Sequence, residues 1–211
     1  MSIKKTVYTV CVNNYLPEIC SITIPTIQAY AGKIGANFHL ITERKFPEFP
    51  PTYEKMQVFE LGVDNDWNIL IDADIILSKN MPDLTLRISP FYVATYMLYQ
   101  ADLLFSADPY FLRDGRRIGV CTNFVVTSKM CHDVWTPLEY GWDIAKNKTK
   151  REHIIDEFCF SRNLARFGLK ISGIDDKDPP TFFLHLDATT KNEKDMLDKA
   201  KEYLDKDAKK E

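Results

Sequence analysis

Between Trp67 and Ser78 the chain reads W-N-I-L-I-D-A-D-I-I-L-S, two apolar runs around a pair of aspartates. A short, β-branched, wholly apolar run bounded by polar residues marks a buried strand rather than an amphipathic helix. Residues two apart on a strand point to the same side. The spacing therefore predicts that Asp72 and Asp74 present two carboxylates together at the end of a hydrophobic strand. Like charges about 4 Å apart repel by roughly 4 kcal/mol at an effective dielectric of about 20. Protonating one acid relieves this, and so does a cation between the two. Hard divalent ions such as Mg²⁺ or Mn²⁺ take oxygen ligands and often keep positions open for a substrate's phosphates. The other reading is a pair of strand-capping acids that face water.

The segments around this strand give it a context. Thr6 to Val12, T-V-Y-T-V-C-V, is β-rich and ends at the turn signal Asn13-Asn14. Ile27, Tyr30, Ala31 and Ile34 then fall at helical spacing, with Pro25 near the start of the helix or kinking it, and Gly35 at its end. Asn37 to Thr42 reads as a second strand. Strand, helix, strand in that order opens an α/β unit with parallel strands. Glu43 to Thr52 is a proline-rich loop, Tyr53 to Val63 is helical in pattern, and residues 85–117 have weak periodicity and read in part as a loop over a site. Gly119 to Thr127 is a strand. Ser128 to Asp143, interrupted near Pro137, and Arg151 to Phe167 are helical, joined by an exposed basic connection from Lys146. Thr181 to Leu186 is a last strand, and Lys194 to Lys210 a charged, solvated terminal helix.

A length of 211 residues suits one domain with a substantial core. The net charge of −3 argues against nucleic acid or an anionic membrane surface as the main partner. The N-terminus lacks the apolar stretch of a signal peptide, and no run approaches the ~20 apolar residues needed to span a bilayer. The cysteines Cys11, Cys20, Cys121, Cys131 and Cys159 show no C-x-x-C spacing. They read as free thiols in a reducing, cytoplasmic setting, not as a zinc site.

A D-A-D after an apolar strand, preceded by a helix with Lys55, resembles the nucleotide-sugar site of A-type glycosyltransferases. The order Lys55, Asp72 and Asp74, Asn123, Asp156-Glu157, His185, Lys191 is similar to that of glycosyltransferase family 8, over residues 6–191. The resemblance implies a single-domain, Rossmann-like, mostly parallel sheet flanked by helices over residues 1–191, with 192–211 as a charged helix or tail. It implies that Asp72, Asp74 and His185 bind Mn²⁺ (or Mg²⁺), which holds the donor's diphosphate. A neutral imidazole and two carboxylates suit that ion. By the same likeness Lys191 contacts the diphosphate and neutralises charge on the leaving group, and Lys55 and Asp72 lie near the donor. Asn123 and Asp156 meet the sugar and the reacting centre, and Thr9, Cys11 and Tyr15 stand where the family cradles uridine. His39, His132 and His153 read as structural or exposed.

The function implied is metal-dependent, retaining transfer of a hexose from a nucleoside-diphosphate sugar, UDP by resemblance, to a sugar, lipid or protein acceptor. The chain departs from the family's H-x-x-G-x-x-K-P-W, with Ala188 for the glycine and Asn192-Glu193 for the Pro-Trp. Ala188 adds a Cβ where backbone approaches phosphate. Val125 replaces the glycine of the family's N-x-G, which narrows the sugar pocket. Two rivals remain open: a nucleotide-sugar-binding or scaffold protein without turnover, and a metal-dependent phosphatase of the haloacid dehalogenase type. The latter places its D-x-D after the first strand, whereas here it follows about the third.

Overall fold

The computed structural model describes residues 3–100, 109–110, 118–174, 182–186 and 192–209. The first strand, β1 (Lys5–Val10), leads into helix α1 (Pro17–Lys33) and then β2 (Asn37–Ile41). Pro17 opens the helix, where its missing N–H costs nothing and its fixed φ is already helical. Pro25 lies inside α1, so the helix begins well before the segment that apolar spacing singled out. Gly35, at φ 66°, reverses the chain after it.

Tyr53 to Val63 is not one α-helix. A 3₁₀ stretch, Pro51–Gln57, carries Lys55 and passes into a single turn, α2 (Val58–Leu61). The apolar runs around the aspartates are strands β3 (Trp67–Ile71) and β4 (Ile75–Leu77), both wholly buried. β5 (Tyr92–Thr95) and β6 (Leu98–Gln100) fall in the region of weak periodicity, most of whose remainder (101–108 and 111–117) lies outside the described residues. The strand expected at Gly119–Thr127 is two, β7 (Ile118–Val120) and β8 (Phe124–Ser128), broken at Cys121–Asn123. A 3₁₀ stretch (Lys129–Trp135) and a short helix, α3 (Trp142–Ala145), replace the interrupted helix. After the 3₁₀ turn Glu152–Ile154 come α4 (Ile155–Arg166), β9 (Lys170–Gly173), β10 (Phe183–His185) and α5 (Glu193–Ala208).

Six strands form one sheet in the order β2-β1-β3-β8-β5-β9, and β4 pairs with β10 in a separate ribbon. β1 is parallel to both β2 and β3, β8 is antiparallel to its neighbours β3 and β5, and β5 is parallel to β9. Side chains alternate across this sheet. Tyr8, Leu70, Val93 and Val125 pack with Phe158, Phe160 and Leu164 of α4 on one face. Val7, Ile69, Ala94 and Val126 pack with Ile27, Tyr30 and Ala31 of α1 on the other. This is the α/β sandwich expected, mostly parallel and covered by helices on both faces. Because the chain leaves β1 toward β2 on one side and returns to β3 on the other, a crevice opens at the carboxyl ends of β1 and β3.

The terminal helix is docked rather than solvated. Met196 and Ala200 are buried against Ile19 of α1, Ile76 of β4 and Leu186. Asp207, also buried, accepts hydrogen bonds from Ser78 Oγ at 2.5 Å and from the Lys79 backbone N–H at 3.0 Å. Asp207→Ala leaves both donors without an acceptor and should lower the unfolding free energy by about 1–3 kcal/mol. Urea denaturation measures this, and a change near zero would mean that the Asp207 hydrogen bonds add nothing to the docking of α5.

Candidate functional site

The crevice at the carboxyl ends of β1 and β3 holds a cleft of about 540 Å³. Lys55, Asp72, Asp74, Asn123, Asp156, His185 and Tyr15 all line it. The two aspartates do not share a strand face as the spacing implied. They sit in the turn between β3 and β4, and their carboxylates find different partners.

Asp72 meets a lysine. Lys55 Nζ lies 2.8 Å from Asp72 Oδ1 and 3.0 Å from Asp156 Oδ2, and donates to Thr122 Oγ1 at 3.2 Å. Thr122 Oγ1 in turn donates to Asp156 Oδ2 at 2.5 Å. The cation that relieves Asp72 is therefore an ammonium group of the chain itself. Burial alone would pull Lys55 down, but Asp156 and then Asp72 hold it above its usual range. Burial also pushes the Asp72 carboxyl up to about 6, with Lys55 pulling against it and Asp74 adding to the rise. Asp156 is 1% exposed, and among the described residues its Oδ1 has no hydrogen-bond partner.

Asp74 meets a histidine. The antiparallel pairing of β4 with β10 sets His185 opposite Ile75, and His185 Nε2 lies 3.4 Å from Asp74 Oδ2. Asn123 Oδ1 accepts from the Phe124 N–H at 2.8 Å, which turns Asn123 Nδ2 toward His185 Nδ1 at 3.3 Å. The turn that carries both acids is pinned along its backbone. The Asp72 N–H donates to Asn123 O at 2.8 Å, Thr23 Oγ1 of α1 donates to Ala73 O at 2.5 Å, and the Leu186 N–H donates to Asp74 O at 3.0 Å.

Not every expected residue reaches the cleft. Thr9 is fully buried on the Val7 side of β1, while Val10 and Val12, one step out of phase, line the cleft. Cys11 does not line it either. Lys191 lies outside the described residues. Among the described residues no group of three or more His, Cys, Asp or Glu side chains is placed to share an ion. The donors that fit a divalent ion are the Asp74–His185 pair, a carboxylate and an imidazole side by side.

Sequence reasoning missed Thr122, Arg151 and His153. Thr122 occupies the break between β7 and β8, where the polar pair Thr122-Asn123 interrupts the apolar residues that make Gly119–Thr127 look like one strand. Arg151 and His153 line the cleft from a 3₁₀ turn whose local pattern looked like an exposed connection running into a helix.

The architecture is that of A-type glycosyltransferases. The protein is similar to a glycosyltransferase involved in the glycosylation of the major capsid of PBCV-1, with a TM-score of 0.57, 12% identity, and coverage of 94% of this chain and 99% of that one. It is also similar to the galactosyltransferase LgtC in complex with donor and acceptor sugar analogs, with a TM-score of 0.51, 12% identity, and coverage of 93% and 95%. At such identity the likeness is one of fold. No protein-family model and no curated protein matches the sequence. Among the described residues no helix is long and apolar enough to cross a membrane.

Lys55→Met should leave Asp72 and Asp156 facing each other without their cation, and cost about 3–5 kcal/mol of stability. The double variant Lys55→Met/Asp156→Asn should recover part of that loss. Chemical denaturation of both proteins decides it, and equal stability of the single variant and the parent would remove the cluster from any structural role.

Proposed function

We propose that the protein is a metal-dependent glycosyltransferase that moves a hexose from a nucleoside-diphosphate sugar, a UDP-sugar, to a sugar, lipid or protein acceptor with retention of anomeric configuration. The observation that carries this reading is the approach of His185 to Asp74, 3.4 Å apart although 111 positions separate them in sequence, at the crevice between β1 and β3. Ligands of open α/β sheets bind at such a crevice, and the fold shared with glycosyltransferases supports the same reading.

Asp74 and His185 would hold a Mn²⁺ or Mg²⁺ ion, while Asp72, the third ligand of the expected set, is held by Lys55 instead. When bound, the ion supplies positive charge opposite the donor's diphosphate. The chain's own residues do the rest. Asn123 orients the imidazole. Asp156 Oδ1, buried and unpartnered among the described residues, offers an acceptor for a sugar hydroxyl. Lys55 keeps Asp72 and Asp156 apart and fixed, so that neither moves as the sugar passes through an oxocarbenium-like state. Lys191 neutralises the departing diphosphate, whose oxygen takes the acceptor's proton. Tyr15 contributes to the wall where the nucleoside rests.

Asp74→Ala should abolish the Mn²⁺-dependent part of UDP binding while unfolding stays cooperative. Titration calorimetry with Mn²⁺ and with chelator checks this, and an unchanged metal-dependent affinity would remove Asp74 from the site. Donor hydrolysis across a panel of UDP- and GDP-sugars with Mn²⁺ should show turnover of a UDP-sugar. Release of phosphate from simple phosphomonoesters, with no sugar nucleotide consumed, would favour a phosphatase instead.

A further inference from the structure

The turn between β1 and α1 carries Tyr15 into the cleft wall and is held by two sulfurs beneath it. Cys20 Sγ, buried at the start of α1, donates to the Tyr15 carbonyl at 3.1 Å. Cys11 Sγ, half-buried at the end of β1, reaches the same carbonyl at 3.9 Å. The sulfurs themselves are 3.6 Å apart. Around this carbonyl the backbone is wound tightly, with Asn13, Asn14 and Leu16 at φ 57°, 53° and 37°. Non-glycine residues persist in that region only when their surroundings hold them there, and here the thiol hydrogens supply part of the hold.

We propose that Cys11 and Cys20 form a dithiol that closes to a disulfide in exchange with a small-molecule disulfide, and that closure weakens nucleotide binding by releasing the Tyr15 turn. The Cys11 thiolate, the more accessible of the two, attacks one sulfur of the small disulfide and displaces a thiolate, which takes up a proton. The Cys20 thiolate then attacks the Cys11 sulfur of the mixed disulfide and displaces the second thiolate. Two protein S–H bonds and one small-molecule S–S bond are lost. One protein S–S bond and two small-molecule thiols are formed, so the protein gives up two electrons and the small disulfide takes them. Bonded sulfurs lie about 2 Å apart, so the pair closes by a small rotation of each side chain. The bridge has no S–H, so the Tyr15 carbonyl loses its Cys20 donor at 3.1 Å and its share of the Cys11 hydrogen. Tyr15 then no longer stands where the cleft needs it.

The effect on binding rests on the sugar-nucleotide reading above, whereas the bridge itself does not. The reduced protein is incubated with oxidised glutathione, alkylated and mapped by mass spectrometry, and its UDP affinity is measured with Mn²⁺ before and after. The expected result is a species lighter by two hydrogens with the Cys11 and Cys20 peptides joined. UDP affinity should fall severalfold and return with dithiothreitol. Cys11→Ser and Cys20→Ser should each bind UDP equally with and without oxidant. Glutathione adducts that never resolve to the internal bridge overturn the proposal, as does a bridged protein with unchanged UDP affinity. A reduced protein that does not bind UDP at all refutes the sugar-nucleotide reading instead. In that case amide hydrogen exchange over residues 13–16 decides the release of the turn: faster exchange after oxidation supports it, and no change overturns it.

Discussion

One ammonium group organises the centre of this protein. Lys55 arrives from the 3₁₀ stretch Pro51–Gln57, and its Nζ bridges Asp72 of the β3–β4 turn and Asp156 of α4. Two carboxylates in so dry a place would repel each other and resist ionisation. The lysine neutralises both, at the cost of its own burial, and Thr122 fills a further position around it. Three segments distant in sequence are thereby tied to the same point at the open end of the sheet. Without that tie, Asp72 would face Asp156 with no cation between them.

The second tie is made of backbone. β4 is only three residues long, and a strand so short needs support from outside the main sheet. It finds that support in β10, which brings His185 to Asp74, and in α5, which seats Met196 and Ala200 over Ile76. The hydroxyl of Thr23, donated to Ala73 O, locks the turn to α1. The charged C-terminal helix, polar enough to suggest a solvated tail, is thus part of what keeps the site in shape. Its narrow apolar stripe is seated in the angle between α1 and the β4–β10 ribbon, where Met196 and Ala200 meet Ile19, Ile76 and Leu186.

Much of the site could be read from residue types in order. Lys55, Asp72, Asp74, Asn123, Asp156 and His185 converge on one cleft. Their pairing could not be read. Alternation along a strand placed Asp72 and Asp74 side by side, but the chain leaves the strand at Asp72 and turns, so one acid faces a lysine and the other a histidine. Thr9 and Cys11 illustrate the same limit at β1. A one-residue phase difference sends Val10 and Val12 to the cleft and Thr9 into the core. Thr122 was hidden because a Thr-Asn pair between apolar residues is equally compatible with one continuous strand, so only the tertiary structure breaks Gly119–Thr127 in two. The strands β5 and β9, short and without clear alternation, owe their place to neighbours already in the sheet.

The sequence by itself determined the alternation of buried strands and amphipathic helices, and with it a three-layer α/β fold, because burial of apolar periodicity is a local and additive demand. It also determined which chemical groups were available. Tertiary structure alone decided which charges meet, since a salt bridge between residues 55, 72 and 156 depends on where three chain segments end in space. Hydrogen bonds and ion pairs act over a few ångströms and in fixed directions, so a shift of one residue in phase or one turn in a loop reassigns them without disturbing the hydrophobic pattern that builds the fold.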